Sequence, residues 1–161
     1  MADIILIALG GNAIKQADEK GTTEEQFRNC WKTTEHIANI IQNLTPDDRL
    51  VITHGNGPQV GNLMVQQKIA QNIVPAHPMD VVGAMTQGQI GYMLQQTLMN
   101  HLKEKNIDKP VCTLLNQVLV DHNDPEFEGD NASKPVGNFL TEEEAKELKN
   151  NNPDYIVKKV K

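Results

Sequence analysis

Two short apolar runs, each ending in a loop of glycine and asparagine, constrain this chain more than any other feature. Ile4-Ile5-Leu6-Ile7-Ala8-Leu9 leads into Gly10-Gly11-Asn12, and Leu50-Val51-Ile52-Thr53 leads into His54-Gly55-Asn56-Gly57-Pro58-Gln59. Ile4 to Leu9, apolar at every position, is what a strand buried on both faces of a parallel sheet presents, and Leu50 to Thr53 reads as a second strand. Glycine at the strand end lets backbone N–H groups approach an anion, because no Cβ intervenes. Asparagine beside it adds a directed amide. In an open parallel sheet, ligands bind beyond the carboxyl ends of the strands. Gly10, Gly11, Asn12, Gly55, Asn56 and Gly57 are therefore expected to line one polar pocket for a small anionic substrate. Glycines serving tight turns are the competing reading, and two such loops after two adjacent strands weigh against it.

Between and after these loops the pattern is helical. Thr22-Thr23-Glu24-Glu25 resembles a capping box, and Phe27, Cys30, Trp31, Thr34, Ile37, Ala38 and Ile41 recur as one apolar stripe. That helix should stop before Pro46. Pro58 suits the first turn of a further helix whose inner face is Val60, Leu63 and Met64, so its unpaired N–H groups start inside the second loop. Residues 72–78 form a loop. From Met79 to Lys103 a long helix is expected, with Val82, Met85, Met93, Leu94, Leu98 and Leu102 in the core. Gly83, Gly88 and Gly91 each weaken it by about 1 kcal/mol relative to alanine, a cost that close packing against another helix, across a dimer interface for instance, offsets. Val111 to Leu115 reads as a third strand, resuming at Gln117 to Val120. The order predicts an α/β fold with a mostly parallel sheet covered by helices.

Beyond Val120 the chain turns polar and acidic. A capped helix is expected from Thr141 to about Leu148, and Tyr155 to Val160 alternates weakly as a strand. This tail is too polar for its own core and reads as a subdomain leaning on the sheet. At 161 residues the chain is one domain by size. Its net charge of −6 is spread without a basic block, which argues against nucleic acid. No secretory signal precedes Gly10, and no apolar stretch reaches the roughly 20 residues of a membrane span; a cytoplasmic protein is expected. Cys30 and Cys112 fit no zinc or disulfide spacing and are expected to be reduced, buried thiols.

The loops match no nucleotide fingerprint: the spaced glycines of the dinucleotide motif are missing, and no Walker lysine follows. A phosphoryl-transfer site needs positive charge, and the position two residues before Gly10 is Ala8 rather than lysine. Lys134, in Ser133-Lys134-Pro135-Val136-Gly137, is the local candidate for a catalytic cation on a closing loop; a solvated surface lysine competes with it. Asp121-His122-Asn123-Asp124 fails the calcium-loop pattern at Pro125 and Glu126, so no protein-held metal is expected. His54 is a candidate for orienting a backbone group, beside the plain reading of a loop histidine. Asn131-Ala132-Ser133 matches a glycosylation sequon that carries no weight without a secretory signal.

Ala8-Leu9-Gly10-Gly11-Asn12-Ala13, Thr53-His54-Gly55-Asn56-Gly57-Pro58-Gln59-Val60-Gly61-Asn62 and Ala84-Met85-Thr86-Gln87-Gly88 together resemble carbamate kinases. Lys134-Pro135-Val136-Gly137 and Phe139-Leu140-Thr141-Glu142-Glu143 extend the resemblance into the tail. Such kinases belong to the amino acid kinase superfamily. The resemblance implies a three-layer α/β/α sandwich with a small protruding subdomain. It also implies phosphoryl transfer between carbamoyl phosphate and ADP, giving ATP and carbamate, with Mg²⁺ as cofactor. A cytosolic homodimer acting in the arginine deiminase route of arginine breakdown is implied as well.

By that resemblance, Asn12 and the Gly10 and Gly11 amides face the transferred phosphoryl group, Gly55, Asn56 and Gly57 hold the carbamate end, and Lys134 is the mobile cation. Residues 1–120 would be the carbamate-side portion and 121–161 the start of the protruding subdomain. Carbamate kinases are about twice this long, and their nucleotide-binding half is expected to be absent here. The chain thus reads as an N-terminal portion, inactive alone. A noncatalytic anion-binding module and a related kinase acting on another small acid are the alternatives.

Overall fold

The structure, a computed structural model, describes residues 2–16, 18–127, 140–151 and 157. It is a mixed α/β fold with a parallel sheet. In chain order the elements are β1 (Ile4–Leu9), α1 (Thr23–Ile41), β2 (Arg49–His54), α2 (Gly57–Ala70), α3 (Met79–Glu104) and α4 (Glu142–Asn151), with single 3₁₀ turns at Gly11–Ala13 and Pro125–Phe127. Two compact units emerge: Met1–Val60 with His77–Asn116, and Gly61–Ala76 with Gln117–Lys161.

In the first unit β1 and β2 pair in parallel, with Ile4 opposite Arg49 and Leu9 opposite His54. Period-two alternation sends Ile7, Leu9, Leu50 and Ile52 to one face, where they pack against the buried residues of α1 and α3. One cluster joins Ile14, Cys30, Ile90, Met93 and Leu94; the other joins Ile37, Ala38, Ile41, Leu98 and Leu102. Each buried Ile, Leu or Met among them contributes about 1.5–3 kcal/mol by leaving water. The capping box forms as expected: Thr22 Oγ1 accepts from the Glu25 N–H, while Glu25 Oε2 accepts from the Thr22 N–H. Trp31, on the stripe, is partly exposed and lies against the buried His101 ring, centroids 4.0 Å apart, while His101 Nε2 donates to the Trp31 carbonyl.

Four expectations are corrected. β1 is not buried on both faces: Ile4 and Leu6 are 77% and 63% exposed, since among the described residues the core helices cover only the Ile7–Leu9 side. No third strand forms at 111–115 or 117–120. The apolar character of Val111 is spent in the second core cluster, and the polar groups nearby go to α3: Gln87 Oε1 accepts from Asn116 N, its Nε2 donates to Asn116 O, and Thr113 Oγ1 donates to Gln95 Oε1. Gly91 is explained by that approach, because Thr113 leaves no room for a Cβ there, whereas Gly83 and Gly88 have open space. At Gly91 the close neighbour is thus a loop segment. Met85 is exposed rather than in the core, and of the two cysteines only Cys30 is buried.

In the second unit α4 starts at a capping box, Thr141 Oγ1 accepting from Glu144 N and Glu144 Oε2 from Thr141 N. Lys68 on α2 pairs with Glu144 at 3.5 Å. The 155–160 strand expected from sequence lies outside the described residues, save Val157, which belongs to no strand.

Candidate functional site at the strand ends

The register decides where the loops go. Because Leu9 stands opposite His54 at the carboxyl end of the pair, Gly10-Gly11-Asn12 and Gly55-Asn56-Gly57 leave the sheet side by side. The ladder continues one step into the site, where Gly55 N donates to Leu9 O at 3.4 Å. The sequence expectation that the two loops share an edge is met.

The first loop opens a 3₁₀ turn. Ala13 N donates to Gly10 O at 3.0 Å and Ile14 N to Gly11 O at 3.1 Å. Helix α1 holds this turn from behind: Thr33 Oγ1 donates to Ala13 O and Asn29 Nδ2 to Ile14 O, while the Ile14 side chain is buried. The 15–21 segment is tied to the same helix. Glu19 accepts from Gln16 N, Asn29 and Arg28, and these bonds, the Gln16 N–H foremost, lower its pKa. Glu25 is lowered likewise by the backbone N–H groups of Thr22 and Gly21. The Asn12 backbone lies in the turn; its side chain is outside the described positions.

The second loop becomes α2. Val60 N donates to Asn56 O, closing the first helical turn, and the first backbone N–H groups of a helix have no partner within it. Asn56 Nδ2 donates to Thr86 Oγ1 on α3 at 2.9 Å, and Thr86 donates onward to Gly83 O at 2.7 Å. Gln59 Nε2 donates to Gln26 Oε1 at 2.9 Å, and Gln26 Nε2 to Gly21 O at 2.8 Å, a bridge between two buried side chains. His54 Nδ1 lies 3.2 Å from Gly55 O, where the carbonyl accepts from the ring, so this histidine does orient a backbone group.

Gly10, Gly11, Gly55 and Gly57 share one property. None has a positive φ, and a Cβ built on any of them meets no atom within 4 Å. Their backbone conformations suit other residues and their surroundings have room, so neither turn geometry nor internal packing requires glycine. What glycine supplies here is open access to the main chain at the strand ends. Such open main chain, beside the first N–H groups of α2, is an arrangement that suits the oxygens of an anion.

It is poorly suited to a bare cation, and among the described residues no three His, Cys, Asp or Glu side chains gather to hold one. Lys134 lies outside the described residues. Burial pushes the Cys30 thiol up to about 11, which leaves it inert. A surface groove of about 480 Å³, lined by Met99, Leu102, Lys103 and Lys109 among others, lies away from the loops. Lys109 Nζ bonds to the Asp48 carbonyl just before β2, at the opposite end of the strands.

Thr86, Gln26 and Gln59 received no role from the sequence. A signal existed for two of them: Gln26 is in phase with Cys30 and Thr34 on α1, and Thr86 with Val82 and Ile90 on α3. A polar residue in step with a buried stripe needs a partner.

The model of the amino acid kinase family matches residues 3–155. A carbamate kinase of Thermococcus kodakarensis is 55% identical over 146 residues, covering 89% of this chain and 45% of that protein. Carbamate kinase 2 of Staphylococcus aureus is 44% identical over 163 residues, covering 98% and 49%. The solved Giardia lamblia carbamate kinase bound to AMP-PNP superposes with a TM-score of 0.87 at 39% identity, over 99% of this chain and 49% of that one. The chain thus spans about half the length of the curated relatives it matches. Among the described residues no helix is long and apolar enough to cross a membrane.

Proposed function

The chain belongs to the amino acid kinase family, and on that premise we propose that it is the carbamate-side part of a carbamate kinase. The reaction is reversible transfer of a phosphoryl group between carbamoyl phosphate and ADP, giving ATP and carbamate. One observation carries the reading: two glycine loops of unhindered backbone leave adjacent strand ends in register. The Gly10, Gly11 and Asn12 loop faces the moving phosphoryl group, and Gly55, Asn56 and Gly57 hold the carbamate end. Transfer is direct and in line, with positioning and charge stabilisation as the main contributions. Lys134 supplies the positive charge that the uncharged loops lack.

Magnesium belongs to the nucleotide phosphates, the usual arrangement for this ion in kinases. The AMP-PNP bound to the Giardia lamblia carbamate kinase supports a nucleotide co-substrate. Residues 121–161 open the protruding subdomain that carries Lys134, and 1–120 form the substrate portion. The protein works as a cytoplasmic homodimer in arginine breakdown. Met85, Tyr92 and Met99 stand exposed seven residues apart along α3, an apolar row of the kind one helix offers another across an interface.

The test is ATP formation from carbamoyl phosphate and ADP by the full-length protein, with and without Lys134→Ala. We expect turnover in the wild type and a fall in kcat, much larger than any weakening of nucleotide binding, in the variant. The 161-residue chain alone should bind carbamoyl phosphate and make no ATP. Faster turnover of acetyl phosphate than of carbamoyl phosphate would point instead to a kinase of another small acid.

A further inference from the structure

We infer that Thr86 is a positioning residue that sets the orientation of the Asn56 amide, and that through it the site tells an amino-bearing acyl phosphate from a methyl-bearing one. The inference rests on the proposed reaction and names its source of selectivity. A hydroxyl carries one proton. Thr86 Oγ1 lies 2.7 Å from the Gly83 carbonyl, which can only accept, so the proton is committed there. Only a lone pair remains for Asn56, 2.9 Å away, and only the NH₂ end of that amide can donate to it.

The amide therefore stands with Nδ2 toward α3. Oδ1, to which no described residue donates, is left as an acceptor in the loop between Gly55 and Gly57. Thr86 is itself fully buried, so water does not compete for its oxygen and a flipped amide would bring two acceptors together. The Gln59–Gln26 bridge holds the first turn of α2 from a second side, so the loop does not shift to relieve such a clash.

A carbamoyl group and an acetyl group have nearly the same shape and differ in that only the first carries N–H donors. An acceptor fixed at the acyl end rewards the first and leaves the second unpaired. Sites built around a hydrogen bond to the substrate discriminate strongly against the analogue that lacks it.

The experiment compares kcat/KM for carbamoyl phosphate with that for acetyl phosphate, each with ADP, in the full-length protein. Thr86→Val keeps the shape and removes the acceptor; it should lower the carbamoyl-to-acetyl ratio roughly tenfold. Thr86→Ser, which restores the hydroxyl, should return the ratio to within about twofold of the wild type. Asn56→Ala should lower it as far as Thr86→Val does, and the double variant no further, as expected of two residues acting as one unit.

An unchanged ratio in folded Thr86→Val, or losses that multiply in the double variant, overturns the inference. A wild type that uses both phosphates equally does so too. If Thr86→Val does not fold, Thr86→Ala takes its place; failure of both to fold makes Thr86 structural and ends the proposal. A wild type that makes no ATP from carbamoyl phosphate defeats the proposed function instead.

Discussion

The loop after β1 is held by its backbone carbonyls, whereas the loop after β2 is held by its side chains. Thr33 and Asn29 of α1 donate to Ala13 O and Ile14 O, so almost any residue at positions 13 and 14 would offer the same acceptors. Behind the second loop, Asn56 meets Thr86 and Gln59 meets Gln26, pairs that exist only with those residues. The first arrangement fixes where the main chain runs. The second also fixes which atom each amide presents. A loop that binds through its N–H groups needs only the former; a loop that recognises its ligand through a side chain needs the latter.

Gly10→Val tests the premise that both loops keep glycine for access. Gly10 has an extended backbone that valine adopts readily, and a Cβ there meets nothing. Activity of the full-length protein should fall by about 100-fold, the scale of a misplaced reactant, with stability changed by no more than about 0.5 kcal/mol. Parallel loss of stability in urea unfolding would show that the glycine serves the fold, and the loops would differ in kind.

A smaller contrast comes from the supports. Gln59→Ala leaves the buried Gln26 Oε1 without its donor and should cost about 1–3 kcal/mol; Thr33→Ala removes a half-buried hydroxyl from a backbone carbonyl and should cost about 0.5–1.5 kcal/mol. Urea midpoints of the two variants decide the matter, and an equal or larger loss for Thr33→Ala breaks the distinction drawn above.

Acid should separate the loops most gently. Glu25 and Glu19 brace the α1 side of the first loop with pKa values below the ordinary 4.5, while the side chains supporting the second loop do not titrate. A carboxyl whose folded value is depressed stabilises above its unfolded value, and that contribution disappears as pH falls through the folded one. Glu25→Gln should therefore lower the melting temperature modestly at pH 7, and the gap to wild type should close as pH falls below about 4.5. A gap that stays constant with pH would remove Glu25 from the account.

Much of this was legible in the sequence because local and tertiary preferences agree. The capping box at Thr22, the stripe from Cys30 to Ile41, and the two strands each have one good solution. Where two solutions existed, the sequence pattern misled. The run Val111 to Leu115 has strand composition, yet the residues around it bond to Gln87 and Gln95 and close on Gly91, features scattered along a helix far away in sequence. Met85 sits on a helix apolar around most of its circumference, so spacing alone did not choose its face. Gln26, Gln59 and Thr86 are polar residues whose burial depends on partners that only the fold brings close.

The register of β1 on β2 acts as a ruler for the chemistry. Slipping it by one residue would carry one loop about 3.3 Å past the other, about the whole separation of reacting atoms in a near-attack geometry. The same slip would turn the apolar set of the strand that moves, Ile7 and Leu9 on β1 or Leu50 and Ile52 on β2, out of the core. Hydrophobic sorting therefore calibrates the site: the free energy that buries Ile7, Leu9, Leu50 and Ile52 also sets the spacing of the two loops. Changes to the lengths of the loops at the other end of the sheet leave that spacing untouched, provided that these four side chains keep their face.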